Sequence, residues 1–242
     1  MRVNDMTKHK LATIVLISFA LAGSAYAEII EKVGTFDGKQ VDYLIVLPDG
    51  FDPANEYPAV LAFAGGGQSM RTTRNAVENH WAGEAETQGY IVVSPAAPMG
   101  QLFFRAGASV IPSFLDEILQ DYRVEKNKFH IAGRSNGGLS AFHVAASYPE
   151  YFRSLTGFPG FLQDANRERV AALTGLCIYM HVGEFDPGWS RAMMGQAEML
   201  RDRGFRVQFG VEKGMGHGLD SLMGEGSKRL FDHFVDSANN CE

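Results

Sequence analysis

Residues 128–139 read KFHIAGRSNGGL, a β-rich apolar run that leads into a glycine-bounded turn and then into a helical pattern. A strand, a turn and a helix in this order form the repeating unit of α/β proteins. The flanking sequence continues the alternation. Strands are predicted near 41–48, 59–64, 90–95, 152–158, 176–182 and 207–212, and helices near 75–88, 110–122, 137–147, 191–203 and 219–237.

The character of the strands indicates how the sheet is built. The runs at 59–64, 90–94 and 176–182 are apolar through most of their length, as in parallel strands with helices on both faces. The segments 29–35 and 41–47 have no helix between them, which predicts an antiparallel edge. The sequence therefore predicts a single α/β domain with a doubly wound, mostly parallel sheet and helices on both faces.

The composition is that of a globular protein. The chain has 242 residues, of which 45% are hydrophobic and 21% charged, and its net charge is -6. Because no basic tract is present, nucleic acid is not an expected partner. Two cysteines are too few for a disulfide scaffold or a cysteine-rich zinc site.

The first 27 residues have the pattern of a secretory signal peptide. Basic residues precede the uncharged run from Leu11 to Ala22, and Ala25 and Ala27 form a small-residue cleavage site. The alternative is a transmembrane anchor, but a helix of this length spans about 18 Å against a bilayer core of roughly 30 Å. We therefore expect cleavage after Ala27, a single catalytic domain over residues 28–242, no stable membrane anchor, and a secreted or periplasmic location.

The turn at 133–137 is a G-x-S-x-G motif with Ser135 at its centre. A serine at the tip of a sharp strand-to-helix turn adopts strained backbone angles, and side chains two positions before and after it would collide. Gly133 and Gly137 meet that requirement. The alternative is a glycine-rich turn with an incidental serine, but the strand–turn–helix setting favours Ser135 as a nucleophile.

A serine nucleophile needs a histidine base. His217 lies between glycines in the loop that follows the predicted strand 207–212, at the same sheet edge as Ser135. The other histidines of the mature chain are predicted within strands or helices: His80, His130, His143, His181 and His233. His217 is therefore the favoured base.

A carboxylate should orient the base from another loop at this edge. Asp186 lies in the loop after the predicted strand 176–182 and directly before a proline. Glu184 is its local competitor, and Asp220 is another, although it is close in sequence to His217. We favour Asp186 as the third member of the catalytic set.

The tetrahedral intermediate of acyl transfer needs two backbone donors. One is the N–H of Asn136, which follows the serine. The other should come from the glycine-rich loop after strand 59–64, where Gly67 or Gln68 is favoured and Gly66 is close behind, because spacing alone does not choose among them. A phosphate loop is the alternative, but no G-K-[ST] follows the glycines.

Over about residues 40–235, the GRSNGG turn, the GGG turn and the G-x-x-D and G-x-G-H loops resemble the α/β-hydrolase family. Within it, the chain resembles the small exported serine esterases grouped with polyhydroxybutyrate depolymerases and feruloyl esterases. The resemblance implies an α/β-hydrolase fold and an acyl-enzyme on Ser135. It also implies a small-molecule or polymeric ester as substrate, and no metal or organic cofactor.

Many members of this family insert a lid between their sixth and seventh strands. The corresponding segment here, 158–175, is too short for more than one small helix, so we expect a minimal lid and an open cleft. Aromatic residues in loops near the active edge are candidates for substrate binding, with packing beneath the loops as the alternative: Phe103, Phe104, Phe158, Phe161 and Trp189.

The two cysteines lie where a disulfide is compatible with the expected fold. Cys177 opens a predicted strand at the edge opposite the active site, and the last helix should carry Cys241 back toward that edge. Export would place both thiols in an oxidising compartment. The alternative of two free thiols stays open.

Three classes of function are compatible with these features. The first is a carboxylic ester hydrolase, and the second is an acyltransferase or peptidase that uses the same three residues. The third is a non-catalytic binding protein on a hydrolase fold. The presence of serine, aspartate and histidine in the order of the family favours an enzyme, and the overall resemblance favours the ester hydrolase.

Overall fold

The computed structural model describes residues 28–241. The predicted signal peptide, residues 1–27, lies outside these residues. Within them, no helix combines the length and the apolar character needed to cross a membrane.

In the described part of the chain, eight strands form one sheet. They are β1 (Glu28–Phe36), β2 (Lys39–Leu47), β3 (Tyr57–Phe63), β4 (Ile91–Pro95), β5 (Val124–Gly133), β6 (Phe152–Gly157), β7 (Cys177–Gly183) and β8 (Arg206–Glu212). Their order is β1-β2-β4-β3-β5-β6-β7-β8. Strands β3 to β8 run parallel, while β2 pairs antiparallel with β1 and β4. The predicted mostly parallel sheet with an antiparallel edge is confirmed.

Helices cover both faces of this sheet. They are α1 (Met70–Ala76), α2 (Ala82–Gln88), α3 (Ile111–Asp121), α4 (Asn136–Ser147), α5 (Arg167–Ala171), α6 (Pro187–Asp202) and α7 (Lys228–Asn240), with a π-helical turn (Val77–Trp81) joining α1 to α2. Side chains of α3 to α6 form the buried cluster on one face, and those of the π-helical turn, α2 and α7 form the cluster on the other. Burial of these apolar stripes fixes each helix on the sheet.

Two helices begin earlier than the sequence predicts, each because of its N-terminal residues. The first begins at Met70 instead of residue 75, because the Ser69 hydroxyl accepts a hydrogen bond from the Thr72 N–H and caps the helix. Helix α6 begins at Pro187 instead of Arg191. Proline is well tolerated there, because the first N–H of a helix has no acceptor within it.

The predicted helix at 219–237 is wrong over its first two turns. Helix α7 begins only at Lys228, and two short 3₁₀ turns precede it. Leu219 and Gly224 both have a φ of 53°, which a continuous right-handed helix cannot contain. Gly226 also lies against the Ser221 carbonyl, where an added Cβ would overlap it.

The topology separates two ends of the sheet. The carboxyl ends of β3, β5, β7 and β8 lie at one edge, so the loops that follow these strands meet there. Helix α5 is the one helix between β6 and β7, which agrees with the predicted minimal lid. At the opposite edge, Cys177 at the start of β7 forms a disulfide with Cys241 after α7, with 5.8 Å between the Cα atoms.

Candidate active site

Ser135 lies in the turn between β5 and α4, in a conformation that most residues avoid. Its φ is 57° and its ψ is -119°, outside the regions that are open to residues with a side chain. An added Cβ on Gly133 would overlap the Gly137 carbonyl, and one on Gly137 would overlap the Phe63 carbonyl. The Ser135 N–H donates to the Pro159 carbonyl at 2.8 Å. These contacts hold the serine at the tip of the turn.

Two short hydrogen bonds join Ser135, His217 and Asp186. The serine hydroxyl donates to Nε2 of His217 at 2.7 Å, and Nδ1–H of His217 donates to Oδ2 of Asp186 at 2.6 Å. Because a carboxylate only accepts, Asp186 fixes the proton on Nδ1 and leaves Nε2 able to accept another. The aspartate side chain is 13% exposed and that of the histidine 43%, so the carboxylate is shielded while the imidazole stays accessible.

The loops that carry Asp186 and His217 are tied together by a second carboxylate. Oε2 of Glu184 accepts a hydrogen bond from the Gly214 N–H at 2.8 Å, and the Glu184 N–H donates to the Glu212 carbonyl at 3.0 Å. Glu184, the local competitor for the role of Asp186, therefore braces the two loops. It has no hydrogen bond to the imidazole among the described residues.

Asp220 was the other alternative for this role. Its side chain is exposed, and the described structure contains no hydrogen bond between it and His217. Its carboxylate oxygen lies near Gly218, where an added Cβ would be 2.9 Å away. The geometry therefore brings Asp186, and not Asp220, to the imidazole.

The glycine turn after β3 lies against the serine turn, as an oxyanion site requires. The side-chain amide of Asn136 donates to the Gly66 carbonyl at 2.9 Å and joins the two turns. Asn136 is also the first residue of α4, where N–H groups have no acceptor within the helix. The N–H of Asn136, together with that of Gly66 or Gly67, is the donor pair that this arrangement favours.

Gln68 does not fit the donor role that the sequence suggested for it. Its N–H donates to the Gly65 carbonyl at 3.3 Å and closes the turn. Its side chain is fully buried, donates to the Ser140 hydroxyl at 2.9 Å and accepts from the Phe103 N–H at 3.0 Å. The side-chain amide of Gln68 uses its donor and its acceptor in these two bonds. Gln68 therefore anchors the glycine turn to the surrounding structure.

The aromatic candidates divide into buried residues and residues at the cleft. Phe103 and Phe158 are almost completely buried, so their prediction as substrate-binding residues is wrong: both pack into the core beneath the loops. Phe104 is half-buried beside the Arg105 guanidinium. Trp189 lies against the His217 ring, with 5.1 Å between centroids, and its ring also contacts that of Phe161 at 5.3 Å. Trp189 and Phe161 therefore form one aromatic side of the cleft beside the His217 ring.

The other five histidines within residues 28–241 have partners other than Ser135. Burial lowers the pKa of His80 to about 4 and that of His233 to about 3, so both rings are neutral at neutral pH. The partners are the Leu222 carbonyl for His80, Ser154 for His130, Arg169 for His143, and each other for His181 and His233. Within residues 28–241, no group of histidine, cysteine or acidic side chains is arranged to hold a metal ion.

Arg134 is a residue of the candidate site that the sequence pattern does not predict. Its Nη1 donates to the Gly218 carbonyl at 2.8 Å, next to His217, and its side chain is half-buried. The sequence contained the necessary information, because a residue adjacent to Ser135 in the G-x-S-x-G motif must lie at the same site. The motif leaves that position unspecified, however, so the pattern alone did not assign it.

No protein-family model and no curated protein sequence matches the chain, but solved structures do. A ferulic acid esterase superimposes with a TM-score of 0.64 at 18% identity, covering 87% of this chain and 98% of that one. A thermostable esterase gives 0.63 at 17% identity, covering 87% and 61%. A chain from Bacteroides ovatus, named as a candidate dipeptidyl aminopeptidase IV, gives 0.64 at 14% identity, covering 90% and 36%.

These similarities identify the fold. The chain spans only 61% and 36% of the last two proteins, and at such low identities the likeness establishes architecture alone. The mostly parallel eight-stranded sheet, with helices on both faces and Ser135 in the turn after β5, is the α/β-hydrolase fold. The expected fold is therefore confirmed.

Proposed function

We propose that this protein is an exported serine hydrolase that cleaves carboxylic esters through an acyl-enzyme. The observation that carries the proposal is the hydrogen-bonded chain from Ser135 through His217 to Asp186, with distances of 2.7 and 2.6 Å. A hydroxyl held against an imidazole nitrogen that a carboxylate orients is the arrangement that makes a serine nucleophilic.

In the proposed reaction, His217 first accepts a proton and then donates it, in both acylation and deacylation. His217 accepts the Ser135 proton as the hydroxyl oxygen attacks the acyl carbon, and Asp186 stabilises the imidazolium. The Asn136 N–H and one glycine N–H stabilise the oxyanion, each donor contributing roughly 3–4 kcal/mol to the transition state. His217 then gives its proton to the leaving alcohol. Water attacks the acyl-serine by the same route and releases the acid.

Esters are proposed as substrates for two reasons: the arrangement of the site, and the names of structurally similar proteins. Structures with this fold include proteins named as esterases, and also one named as a candidate dipeptidyl aminopeptidase. The open cleft left by the minimal lid can accept either a small or a polymeric ester. Peptide cleavage by the same three residues is therefore a required comparison in the test.

The test measures hydrolysis of a nitrophenyl ester, a feruloyl ester, a polyester film and a peptide amide by the purified protein. We expect ester turnover that falls by about 10⁴-fold or more in Ser135→Ala. Ser147→Ala is the matched control, because this serine at the end of α4 is exposed and, among the described residues, its hydroxyl bonds only to the His143 carbonyl. Its activity should equal that of the wild type.

Other outcomes would overturn the proposal in distinct ways. Faster cleavage of the peptide amide than of any ester would indicate a peptidase. Acyl transfer to an added alcohol in preference to water would indicate an acyltransferase. A folded protein that turns over none of these compounds would indicate a binding protein on a hydrolase fold.

Export is tested separately from catalysis. If the signal peptide is removed after Ala27, the protein recovered from the periplasm or medium of an expressing bacterium should begin at Glu28. Intact-mass measurement of that protein reads the cleavage site directly. Full-length protein confined to the cytoplasm would contradict export and leave the catalytic proposal unaffected.

A further inference from the structure

A cavity of about 280 Å³ borders the two turns that hold the reacting serine. Gly65, Gly66 and Arg134 contribute to its lining. An added Cβ on Gly65 would lie 3.1 Å from the Arg134 carbonyl and 3.6 Å from Cβ of Ser135. The cavity therefore adjoins the position where the substrate's acyl carbon would be attacked.

Arg134 gives this cavity a positively charged side chain that forms no salt bridge within the described residues. Its guanidinium has five N–H donors, and its one hydrogen bond among residues 28–241 is that from Nη1 to the Gly218 carbonyl. None of the salt bridges within these residues includes Arg134, and none of their acidic side chains lines the cavity. The remaining N–H groups of this partly exposed guanidinium are free to donate to a bound anion.

The other lining groups add hydrogen-bonding capacity without adding charge. Asn75 and Asn79 present side-chain amides, of which Asn79 already donates to the Asn75 backbone carbonyl at 2.7 Å. His80 also lines the cavity, and burial keeps its ring neutral at neutral pH. A single positive charge matches a carboxylate better than a phosphate monoester, which carries nearly two negative charges.

We propose that this cavity binds a carboxylate group carried by the ester substrate, with Arg134 as its main partner. The inference rests on the proposed esterase function and specifies its substrate class: esters with an acidic group a few bonds from the scissile carbonyl. The planar guanidinium can hold a carboxylate through two parallel hydrogen bonds. Arg134 is thus a specificity-determining residue that favours an acidic ester over a neutral ester of the same length.

The test compares matched acidic and neutral esters, with acid release followed by titration. Monoethyl adipate against ethyl hexanoate probes a carboxylate on the acyl side, and 3-acetoxybutyrate against sec-butyl acetate probes the alcohol side. In at least one pair, Arg134→Gln should lower the acidic-to-neutral ratio of kcat/KM by about tenfold, because the variant loses the charge-assisted hydrogen bonds to the substrate carboxylate. The ratio for Arg134→Lys should lie between those of the wild type and Arg134→Gln.

Arg123→Gln is the matched control. It removes an equal charge from an exposed residue that pairs with Glu56 near the start of β5, remote from Ser135. Its kcat/KM ratios should equal those of the wild type. An unchanged ratio in both pairs for Arg134→Gln would overturn the inference. So would an equal loss on both members of each pair, because the arginine would then act only by holding Gly218 beside His217.

A binding measurement separates this inference from the proposed function. If neither member of any pair is cleaved faster than by Ser135→Ala, the esterase proposal fails by itself. Calorimetric titration of Ser135→Ala with adipate then tests the cavity alone. Binding that weakens at least tenfold on adding Arg134→Gln supports the carboxylate site, and absence of binding overturns it.

Discussion

The reactive position of Ser135 depends on neighbours that lack side chains. Gly133 packs against the Gly137 backbone, and Gly137 packs against the backbone at the end of β3. The positive φ of the serine is strained, and such strain persists only where the surrounding structure enforces it. Close backbone packing at these glycines therefore decides whether the hydroxyl meets His217.

Replacing Gly133 with alanine should displace the turn and lower ester hydrolysis by about a hundredfold, because a shift of roughly 1 Å in a reacting group has that effect. The matched control is Gly195→Ala in α6, where an added Cβ has nothing within 4 Å. It should leave activity intact and raise the free energy of unfolding by about 0.5–1 kcal/mol. Hydrolysis rates and denaturant unfolding check both, and full activity in Gly133→Ala would contradict the packing argument.

Residues of the candidate site were predictable from the sequence where they directly follow the end of a predicted strand. Ser135, Asp186 and His217 each follow a predicted strand, and the carboxyl ends of parallel strands meet at one edge. Phe103 and Phe158 could not be assigned in this way, because an apolar residue in a loop packs either into the core or into the cleft. Local sequence does not determine which way such a side chain points.

At the scale of elements, the Glu212 carboxylate joins the end of β8 to β7, to α7 and to the loop that contains Ser221. It accepts hydrogen bonds from His181 on β7 at 2.9 Å, from Arg229 on α7 at 2.7 and 2.8 Å, and from the Ser221 hydroxyl at 3.0 Å. The bonds from His181 and Arg229 hold the pKa of this carboxyl well below its usual range. Since the loop to His217 starts here, this network anchors the loop at both ends.

Glu212→Gln should lower the free energy of unfolding at pH 7 by about 1–3 kcal/mol, because it leaves charged donors without their acceptor. The folded pKa of Glu212 lies below the unfolded value near 4.5, so its contribution is complete above that pH and declines as the pH falls further. Urea unfolding should show the difference from wild type shrinking between pH 7 and pH 3.5. Glu198→Gln, an exposed change in α6, should differ little from wild type at either pH.

The helices and strands were predictable from the spacing of apolar residues, but the positions of their ends were less predictable. The glycines at 224 and 226 are visible in the sequence, yet the apolar spacing of 219–237 still favoured one helix. Only the packing of Gly226 against the Ser221 carbonyl reveals why the chain turns there. The π-helical turn at Val77–Trp81 likewise has no local signature and accompanies burial of the Trp81 ring.

On the scale of the whole molecule, the candidate active site and the disulfide lie at opposite edges of the sheet. The proposed catalytic residues follow the carboxyl ends of the strands, while the disulfide joins the start of β7 to the residue after α7. The strand order was the least predictable feature, because β4 lies between β2 and β3 through pairings that leave no local signal in the sequence.

Removing the disulfide by the double change Cys177→Ser and Cys241→Ser should lower stability by about 4 kcal/mol in the loop-entropy model, given a sequence separation of 64. Ester hydrolysis at 25 °C should be unchanged as long as the protein stays folded. Thermal unfolding and hydrolysis rates measured on the same samples check both statements. An unchanged Tm would contradict a stabilising role for the bond.

If His217 makes the Ser135 hydroxyl nucleophilic, covalent labelling of that serine must depend on the histidine. The protein is treated with a fluorophosphonate, and the modified peptide is located by mass spectrometry. We expect one stoichiometric adduct on Ser135, formed far more slowly in His217→Ala although that variant is folded. Absence of an adduct on Ser135, or equal labelling rates in the two proteins, would contradict this expectation.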